Sequence, residues 1–362
     1  LQMNLDKCND NILLTIAIPT FNRSSKLKNL LNSIHSSLSY GKNSSCVEIL
    51  VSDNCSTDKT LNVLKHVSYL PKEYKFTYSV NNRNYGVDRN YMNAALNSSG
   101  LFVWFLADDE EILDTSIDYL FNLLNTNLNV GAAFVNYFTG DDRIATAIPV
   151  KNDCYLVDNF ALLTSEILTK YSMASSVIIK TSLLKKESMI KYVGTAYPHM
   201  YWFANVARYT SSLTLIIRRP LFVNIHPGVF ETRKNSTKRE SCPFDFYLYA
   251  HLSYIEFVSY IVDFDLFPLS LRLKLYRENI SHNLNQIIFH KITVKKYDVI
   301  AIKTAIKTMT RYFYLSPLFW LVHIPIILLP SFVAKNIEPH RWKYLRVKHA
   351  FGVFIRKIYG QY

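Results

Sequence analysis

The length, composition and charge of the chain limit what kind of protein it can be. Its 362 residues are too many for one small core and predict about two compact units. Apolar residues at 49% and aromatic residues at 14% exclude a disordered chain, because so much apolar surface can be buried. Residues 1–130 hold 11 Lys and Arg against 13 Asp and Glu, whereas residues 211–362 hold 22 against 9. The net charge of +13 therefore comes from the C-terminal residues, which excludes a uniformly basic nucleic-acid binder.

Short apolar runs alternate with segments of helical spacing from residue 12 onward. The first run, 12–18, is ended by Pro19, and a helix follows at 24–38 with Ser24 or Ser25 as its N-cap. Strands and helices then alternate at 47–51, 57–67, 76–80, 88–96, 101–106, 112–124 and 132–135. This alternation predicts an α/β fold, in which a mostly parallel sheet carries helices on both faces.

The remainder of the chain is less regular. Strands are predicted at 175–179 and 213–217, with a helix at 198–208 between them. A polar segment at 227–243, bounded by prolines, predicts a mobile loop. A helical, basic C-terminal region follows, with helices at 244–264, 268–289 and 297–313. The predicted units are a domain at 1–226, the loop at 227–243 and a helical domain at 244–362.

The five cysteines form no CxxC pair, and their number is odd. Such usage argues against a disulfide framework and against a zinc ribbon. It fits a protein of the reducing cytosol.

Polar residues follow each of the first four predicted strands. They lie in the segments 19–23, 52–54, 82–86 and 108–110. In sheets of this kind, ligands bind at the carboxyl ends of the strands. The sequence therefore predicts a binding site along this edge of the sheet.

Asp108 and Asp109 stand just after the apolar run 101–106. Two neighbouring carboxylates repel each other unless a cation or a hydrogen-bond donor compensates them. Mg²⁺ or Mn²⁺ is commonly shared between carboxylates and substrate phosphates, so the pair suits a metal–diphosphate site. A turn before a helix N-terminus, where the helix dipole favours acids, explains the same pair equally well.

Asp53 and Arg89 each allow a functional and a structural interpretation. Asp53 can accept hydrogen bonds from a nucleobase or a ribose, or it can form an Asx turn ahead of the next helix. Arg89, in the first turn of a predicted helix, can reach a phosphate or a sugar-binding carboxylate, or it can form an ion pair with Asp88 or a neighbouring acid. Neither GxxxxGK[ST] nor GxGxxG occurs in the sequence, so the signatures of P-loop and dinucleotide-binding chemistry are lacking.

Four segments, taken in order, resemble one enzyme family. They read TIAIPTFNR, EILVSDNCSTDKT, NRNYGVDRN and SSGLFVWFLADDE. Together they resemble the family 2 glycosyltransferases with the nucleotide-diphospho-sugar-binding (GT-A) fold. The likeness is strongest to the bacterial O-antigen branch that includes abequosyltransferases, and it covers residues 12–136 well and the rest loosely.

The resemblance implies roles for individual residues. The nucleotide-sugar pocket would be lined by Pro19, Thr20, Asn22, Arg23, Asp53, Asn54, Asp88, Arg89 and Asp108. Within it, Asp53 would contact the pyrimidine, and Arg89 the base or the diphosphate. Asp108 and Asp109 would bind the ribose and the cofactor, Mg²⁺ or Mn²⁺, with Asp109 also catalytic. The usual motif of the family is Asp-x-Asp-Asp, and Leu106 replaces its first Asp, which weakens the predicted metal site.

Many inverting members of the family use a carboxylate base on the acceptor side, and residues 194–202 contain none. His199 is the strong base of that stretch, and a neutral imidazole can deprotonate a hydroxyl near pH 7. It can instead bind the acceptor sugar or cap the helix. Glu166 and Glu187 are the nearest carboxylates in the sequence. The resemblance also offers His226 as a late ligand to the metal, with a structural histidine at a strand end as the alternative.

The C-terminal residues combine an apolar and a basic segment. Residues 312–333 contain no Lys, Arg, Asp or Glu, but their three prolines argue against a straight membrane-spanning helix. Residues 335–357 hold seven Lys and Arg against one acid, interleaved with aromatic residues. This composition suits a helix lying on an anionic membrane surface. A helix packed in the core or in a homo-oligomer interface is the alternative. The basic residues of the 227–243 loop could form a lid over the diphosphate or a solvated charge run.

These observations predict a glycosyltransferase at the cytoplasmic face of the bacterial inner membrane, peripherally attached. Its donor would be a nucleoside diphosphate sugar, and the abequosyltransferase likeness favours a CDP-dideoxyhexose. Its acceptor would be a polyprenyl-diphosphate-linked oligosaccharide of an O-antigen or capsule, and no nucleic acid would be bound. Two alternatives stay open. One is a metal-dependent nucleotidyltransferase, which usually needs a Gly- and Lys-rich phosphate loop near residues 18–21. The other is a non-catalytic basic adaptor for membrane or nucleic acid.

Overall fold

The computed structural model describes residues 12–69, 73–140, 143–209, 213–225 and 243–262, and scattered positions between 267 and 328. The strands within the described residues are β1 Leu14–Thr20, β2 Val47–Asp53, β3 Lys75–Val80, β4 Phe102–Phe105, β5 Glu111–Ile112, β6 Val130–Thr139, β7 Ala145–Thr146, β8 Cys154–Val157, β9 Val177–Lys180 and β10 Leu213–Asn224. The helices are α1 Ser24–Ser39, α2 Thr60–Tyr69, α3 Val87–Leu96, α4 Ser116–Thr126, α5 Phe160–Leu163, α6 Lys186–Met189, α7 Pro198–Tyr209, α8 Pro243–Val262 and α9 Ile324–Leu328.

The described strands form one mixed sheet in the order β3-β2-β1-β4-β9-β6-β10-β5, with β7 beside β6 and β8 beside β10. The first four strands of this order are parallel to one another. β9 runs antiparallel to both of its neighbours, β4 and β6, and β10 is again parallel to β6. The predicted α/β class is confirmed, and its parallel half carries the edge where the polar segments converge.

Helices cover both faces of the sheet, as the alternating pattern predicts. On one face, alternate residues of β1 and β2 pack in the main apolar core with α1, α2 and α4. On the other face, Phe105 packs against Tyr91 of α3 and Trp202 of α7, with ring centroids 6.1 and 5.7 Å apart. Phe134 of β6 packs on Phe203 of α7 at 5.8 Å. The central strands are therefore buried on both sides, which explains their uninterrupted apolar sequences.

The first strand does not end at Pro19, as its sequence predicts, but continues to Thr20. The pairing of β1 with β4 ends at Ala17 and Phe105, so at Pro19 only the β2 side is paired, opposite Ser52. A proline is tolerated beside the end of a neighbouring strand, because no backbone hydrogen bond on that side requires the N–H that proline lacks. The extension places Thr20 at the carboxyl edge of the sheet.

Helix α1 is capped differently from the prediction. The N-cap residue is Arg23, and its side chain forms no capping hydrogen bond with the helix. Instead, the backbone N–H of Ser24 donates to Asp58 Oδ2 at 3.0 Å, and Asp58 Oδ1 accepts from the N–H of Thr60 at the start of α2. One carboxylate therefore serves two helix N-termini, a long-range solution that local sequence cannot indicate.

The helix predicted at 112–124 begins later, at Ser116. Residues Glu111–Ile112 form β5 and pair with the end of β10, Phe222 opposite Ile112. A helix from 112 and a short strand followed by a helix from 116 are both compatible with the apolar periodicity of the sequence. Only the pairing of residues 111–112 with β10 distinguishes the two.

The chain divides into two compact units, Leu1–Glu231 with Phe257–Leu275, and Thr232–Glu256 with Tyr276–Tyr362. The predicted loop 227–243 lies outside the described residues except at Pro243, and so do the segments 312–333 and 335–357 except for six positions. Of the part of the chain that the structure describes, no helix has both the length and the apolar character that a bilayer crossing requires. The predicted domain boundaries and the membrane-surface helix stay predictions.

One cysteine departs from the expectation drawn from the cysteine count. Cys46 is disulfide-bonded, whereas Cys55 and Cys154 carry free thiols. The count and the absence of CxxC argue only against a framework, because cysteine pairing depends on distance in space and not on spacing in sequence.

Gly100 permits the close approach of β1 to the turn that precedes β4. Its N–H donates to Thr15 Oγ1 at 2.8 Å. A Cβ atom at this position would lie 2.6 Å from the backbone nitrogen of Thr15, which cannot move away as a flexible side chain could. Any side chain at residue 100 would therefore force β1 and this turn apart.

We expect Gly100→Ala to lower the free energy of unfolding by about 1–3 kcal/mol, the usual cost of overpacking. Urea denaturation with circular dichroism measures the effect. Ser99→Ala is the neighbouring control, because it leaves the close backbone approach intact and removes only the hydrogen bonds of the exposed Ser99 hydroxyl to Lys75 and Glu48, and it should change stability by less than about 1 kcal/mol. Equal stabilities for the two variants would contradict the close packing described here.

Candidate active site

The carboxyl ends of β1, β2 and β3 lie side by side and carry the first of the predicted site residues. Thr20 is in register with Asp53, and Asp53 with Val80. Two backbone hydrogen bonds continue the ladder past the strand ends, from Asn54 N–H to Thr20 O at 2.9 Å and from Asn81 N–H to Asp53 O at 2.8 Å. The sheet therefore brings together the loops after these strands, as the sequence predicts.

Two carboxylate and two cationic side chains form ion pairs that join the loop after β1, with the start of α1, to the loop after β4. Arg23 Nη1 donates to Asp108 Oδ1 at 2.7 Å and lies 3.2 Å from Asp109 Oδ2. Thr20 Oγ1 donates to the other Asp108 oxygen at 2.7 Å. Lys26 Nζ, from the first turn of α1, lies 3.3 Å from Asp109 Oδ2. These five residues are called the carboxylate cluster below.

Burial sets the electrostatics of the carboxylate cluster. It raises the pKa of the Asp108 carboxyl, and the neighbouring Arg23 opposes that rise. Burial also lowers the pKa of Arg23, but Asp108 and Asp109 more than offset this and raise it above its usual value. The Asp108 side chain is only 4% exposed, so its charge is compensated by Arg23 and Thr20 and hardly at all by water.

The carboxylate cluster does not fit a divalent cation in the arrangement described. Both Asp108 oxygens already accept hydrogen bonds, and Asp109 Oδ2 faces two positive charges. Among the residues with described positions, no group of three or more His, Cys, Asp or Glu is placed to hold a metal ion. The predicted further ligand, His226, lies outside the described residues, and Leu106 is fully buried.

Glu110 is a buried acid that sequence reasoning did not assign. Its Oε1 accepts a hydrogen bond from Ser175 Oγ at 3.1 Å, and its buried Oε2 has no partner among the described residues. Ser175 Oγ also accepts from the N–H of Ala107 at 3.1 Å. Burial first, and the charge of Asp109 second, raise the pKa of Glu110 well above its usual range. Glu110 therefore ties the acidic loop after β4 to the turn before β9, and the signal for it was the third acid of the run Asp-Asp-Glu.

Asp53 is fully buried, and its two oxygens differ. Oδ1 accepts hydrogen bonds from the N–H and the hydroxyl of Ser56, which is the Asx-type turn that the sequence allowed. Oδ2 is buried without a partner among the described residues. Burial raises the pKa of Asp53, and the Ser56 hydrogen bonds oppose that rise. The turn thus fixes one oxygen of the carboxylate and leaves the other as a buried acceptor, a feature that calls for an explanation in a native structure.

Asn54 holds the loop between β3 and α3. Its Nδ2 donates to Asn84 Oδ1 at 2.8 Å and to the carbonyl of Gly86 at 3.2 Å. Its Oδ1 accepts from the N–H of Tyr85 at 3.0 Å and from Asn81 Nδ2 at 3.1 Å. Because the whole amide is used in this way, the structure gives Asn54 a positioning role beside the predicted pocket.

Asn90, which sequence reasoning passed over, joins the same network from α3. Its Nδ2 donates to the carbonyl of Ser52 at 2.9 Å, and its Oδ1 accepts from Ser52 Oγ at 2.7 Å and from Asn81 Nδ2 at 3.0 Å. The sequence signal was the density of asparagine between residues 81 and 93. A network of neutral amides keeps its geometry at any working pH, because Asn does not titrate.

Asp88 contacts the acceptor side that the sequence predicts. Its Oδ2 accepts hydrogen bonds from the N–H groups of Gly194 and Ala196 at 2.8 and 3.0 Å. Both residues have positive φ angles, 97° and 62°, and for Ala196 this conformation is strained. Asp88 therefore stabilises the strained turn that leads into α7, and the predicted ion pair with Arg89 is not what this carboxylate forms.

Arg89 lies over an aromatic ring. Its guanidinium is 5.6 Å from the centroid of Tyr85, and that of Arg83 is 4.9 Å from the same ring. No carboxylate of the described residues is within ion-pair distance of Arg89. Its charge is thus available at the edge of the predicted pocket.

Asn22 adopts a left-handed backbone conformation, with φ of 53°. Asparagine tolerates this conformation better than most residues. Its N–H donates to Ser56 Oγ at 2.8 Å, and its Oδ1 accepts from the N–H of Thr57 at 2.7 Å. Asn22 therefore links the loop after β1 to the loop after β2 and sets the direction in which the next residue, Arg23, leaves the strand.

His199 is buried in the first turn of α7. Its Nε2 is 2.9 Å from the carbonyl oxygen of Ser172, which can only accept, so Nε2 carries the proton and Nδ1 is the unprotonated nitrogen. Burial lowers the pKa of His199 to about 4, so the ring is neutral at pH 7. Of the alternative carboxylates, Glu166 accepts a hydrogen bond from Tyr155 OH at 2.8 Å, and Glu187 lies on the exposed α6. The catalytic role of His199 stays a prediction.

Comparison with known proteins identifies relatives for much of the chain. Residues 15–180 match the family described as Glycosyl transferase family 2. The abequosyltransferase RfbV of Salmonella typhimurium is 27% identical over 229 residues, which cover 59% of this chain and 66% of the relative. The GalNAc(5)-diNAcBac-PP-undecaprenol beta-1,3-glucosyltransferase of Campylobacter jejuni is 31% identical over 112 residues, which cover 31% of this chain and 34% of the relative. The chain thus matches just under two thirds of the first relative and about one third of the second.

Solved structures share the fold at low sequence identity. S. aureus TarS 1-349 in complex with UDP superposes with a TM-score of 0.62 at 13% identity, covering 91% of this chain and 92% of that one. The mannosyltransferase PcManGT from Pyrobaculum calidifontis, in complex with GDP-Man and Mn²⁺, gives a TM-score of 0.51 at 12% identity, with 91% and 89% covered. At such identities the likeness shows the fold alone, and it confirms the GT-A type predicted from the sequence.

The hydrogen bonds of Asn54 lead to a stability prediction. We expect Asn54→Ala to lower the free energy of unfolding by about 1–3 kcal/mol, because it leaves buried donors and acceptors unpaired. Hydrogen exchange should become faster at the Tyr85 amide, which loses its acceptor. Asn82→Ala is the matched control, since the exposed Asn82 side chain accepts a single hydrogen bond within the described residues, from Tyr85 OH at 2.6 Å. Unchanged protection at Tyr85 would contradict the positioning role.

The buried imidazole of His199 leads to a pH prediction. Its folded-state pKa, about 4, lies below the ordinary value of 6.5, so the unfolded chain binds a proton more readily. The stability contributed by the neutral ring is therefore complete above pH 6.5 and is lost as the pH falls toward 4, by up to about 1.4 kcal/mol per pH unit. His199→Phe should remove this slope in urea unfolding between pH 7 and pH 5. An NMR titration of the ring with a midpoint near 6.5 would contradict the prediction.

Proposed function

We propose that the protein is a family 2 glycosyltransferase that moves a sugar from a nucleoside diphosphate donor to a lipid-linked glycan. Residues 15–180 match that family, and part of the chain resembles an abequosyltransferase. One observation carries the proposal. The loops after β1, β2, β3 and β4 meet at one edge of the sheet and are joined there by the carboxylate cluster and by the amides of Asn54 and Asn90. This is the edge where ligands bind in open α/β sheets.

The nucleoside end of the donor would lie at Asp53. The Oδ2 atom of this residue is an acceptor without a partner among the described residues, and a pyrimidine offers N–H donors on its base edge. Asn22 and Asn54 would hold the loops on either side of the base, and Arg89 would add a free positive charge. Pro19 would form part of the pocket floor as the buried end of β1.

The choice of nucleotide does not follow from the fold. TarS is described with UDP and with UDP-GlcNAc, and PcManGT with GDP-Man. The relative RfbV is named for the transfer of abequose. We propose a pyrimidine nucleotide and, following this relative, a CDP-dideoxyhexose as the donor.

The diphosphate end of the donor would lie at the carboxylate cluster. Arg23 and Lys26 offer it donors, and Arg23 can bind a phosphate with two parallel hydrogen bonds. Mg²⁺ or Mn²⁺ stays the proposed cofactor of the donor complex, and when bound it would neutralise charge on the departing diphosphate. Asp108 and Asp109 would be its ligands once Arg23 had released them, with His226 as the third predicted ligand and Asp109 as a catalytic group.

The acceptor would lie over the turn at 194–196 and the start of α7. Asp88 holds that turn, and His199 follows it as the proposed base through its Nδ1. The Campylobacter jejuni relative is named for an acceptor on PP-undecaprenol. We propose a polyprenyl-diphosphate-linked oligosaccharide as the acceptor, with the basic residues of 335–357 on the anionic cytoplasmic face of the inner membrane.

Nucleotide binding tests the donor proposal directly. Thermal shift of the full chain with UDP, CDP, GDP and dTDP, with and without Mn²⁺, should show the largest stabilisation with a pyrimidine nucleotide. Asp53→Asn should weaken that nucleotide about 10- to 100-fold in calorimetry, the equivalent of a lost charged hydrogen bond.

Lys75→Gln is the control for Asp53→Asn. Lys75 pairs with Glu48 at 2.8 Å at the amino end of β3, at the opposite edge of the sheet. This variant should bind the nucleotide as the wild type does. If no nucleoside diphosphate stabilises the wild type, the donor proposal is wrong. If Asp53→Asn binds like the wild type, only the role of Asp53 is wrong.

A further inference from the structure

The carboxylate cluster contains a cation of its own. We infer that Arg23 is the resident counter-ion of Asp108 and Asp109, so that Mg²⁺ or Mn²⁺ must compete with this guanidinium and binds the free protein weakly. The inference deepens the proposed function, because it makes the donor diphosphate the condition for entry of the ion.

The first support is that both oxygens of Asp108 already accept hydrogen bonds from protein donors. Asp108 has two oxygens, and each of them has a donor at 2.7 Å, Arg23 on one side and Thr20 on the other. The same Arg23 nitrogen is 3.2 Å from Asp109 Oδ2. A divalent ion shared by the two acids must therefore compete with these donors for the lone pairs of the same carboxylates, and the guanidinium lies on the side where the two carboxylates face each other.

The second support is the balance of charge. The cluster holds two carboxylates, and Arg23 and Lys26 bring two positive charges within 3.3 Å of them. No net negative charge is left to attract a divalent ion. Arginine keeps its proton at every pH that proteins tolerate, so the competition does not disappear in alkaline solution.

The third support is that the backbone places Arg23 where it is. The left-handed Asn22 is bonded to Ser56 and Thr57, and the carbonyl of Arg23 accepts the first hydrogen bond of α1 from Leu27 at 2.9 Å. The guanidinium therefore starts from a fixed point next to the acids. Withdrawing it without a replacement would leave Asp108 buried and unpaired, which is costly.

A diphosphate changes this balance. The diphosphate would offer Arg23 a bidentate anionic partner in place of the Asp108 carboxylate. It would also offer a divalent ion additional oxygen ligands. Arg23 can then exchange a carboxylate for a phosphate without being left unpaired. The free protein, in contrast, provides no such exchange.

Manganese binding by the free, full-length protein tests the inference. Mn²⁺ is titrated into wild type, Arg23→Gln and Arg143→Gln, and free Mn²⁺ is followed by electron paramagnetic resonance. Arg23→Gln should bind Mn²⁺ at least about tenfold more tightly than wild type, because one adjacent positive charge changes cation affinity at a carboxylate by that order. Arg143→Gln is the matched control, since Arg143 forms an exposed ion pair with Glu111 at 2.7 Å, and it should bind like wild type.

Two further variants show where the ion binds. Arg23→Lys keeps a positive charge and should bind Mn²⁺ as weakly as wild type, whereas Asp108→Asn added to Arg23→Gln should abolish the gain. Arg23→Met replaces the Gln variant if circular dichroism shows that the latter is unfolded.

Two results would overturn the inference: no gain in Mn²⁺ affinity over wild type in a folded neutral variant, Arg23→Gln or Arg23→Met, or a gain that survives Asp108→Asn. No sugar nucleotide takes part in this titration. Its outcome is therefore separate from the success or failure of the nucleotide-binding experiment.

Discussion

Two adjacent carboxylates beside a buried strand can both stay ionised only next to a positive charge, and here that charge is the guanidinium of Arg23. Arg23 belongs to the loop after β1 and the acids to the loop after β4, and these two strands are neighbours in the sheet. The ion pair therefore joins the loops that follow these two neighbouring strands at the carboxyl edge of the sheet. The position of Thr20, the direction in which α1 starts and the place of the proposed diphosphate all depend on this contact.

The remaining loops are held by neutral groups. Asn22, Asn54 and Asn90 join the loops after β1, β2 and β3 through amide hydrogen bonds that do not change with pH. Among the described residues, two buried carboxylate oxygens, Asp53 Oδ2 and Glu110 Oε2, have no partner. Such atoms are costly to bury, and in a binding site a ligand can satisfy them.

The acceptor side depends on strain that one carboxylate compensates. Ala196 has a positive φ, which costs an L-residue about 1–2 kcal/mol, and Asp88 bonds to the N–H groups that this turn exposes. Asp88 lies in the first turn of α3, and the same turn carries Asn90, which bonds to the end of β2. The short helix α3 therefore connects the proposed donor and acceptor sides, so a change at either residue should affect both.

Much of the candidate site could be predicted from the polar residues that follow the predicted strands in the sequence. The alternation of apolar runs predicts the parallel half of the sheet, and parallel strands must bring their carboxyl ends to one edge. Asp53, Asp108 and Arg23 could be assigned to that edge for this reason. Glu110 and Asn90 were missed because a buried acid and a buried amide have no periodicity, and their value lies in contacts such as Ser175 and Ser52 that are distant in sequence.

The sequence by itself determined the fold class, the likeness of residues 15–180 to glycosyl transferase family 2 and the edge of the sheet at which the candidate site lies, because these depend on periodicity and on the order of segments along one chain. Only the tertiary structure decided which charges pair. It placed Arg23 against Asp108, turned Asp88 toward Gly194 and away from Arg89, and set Asp58 at the start of α1. The physical reason is that a charged or polar side chain bonds to whatever the fold brings within about 3 Å, and sequence spacing does not contain that distance.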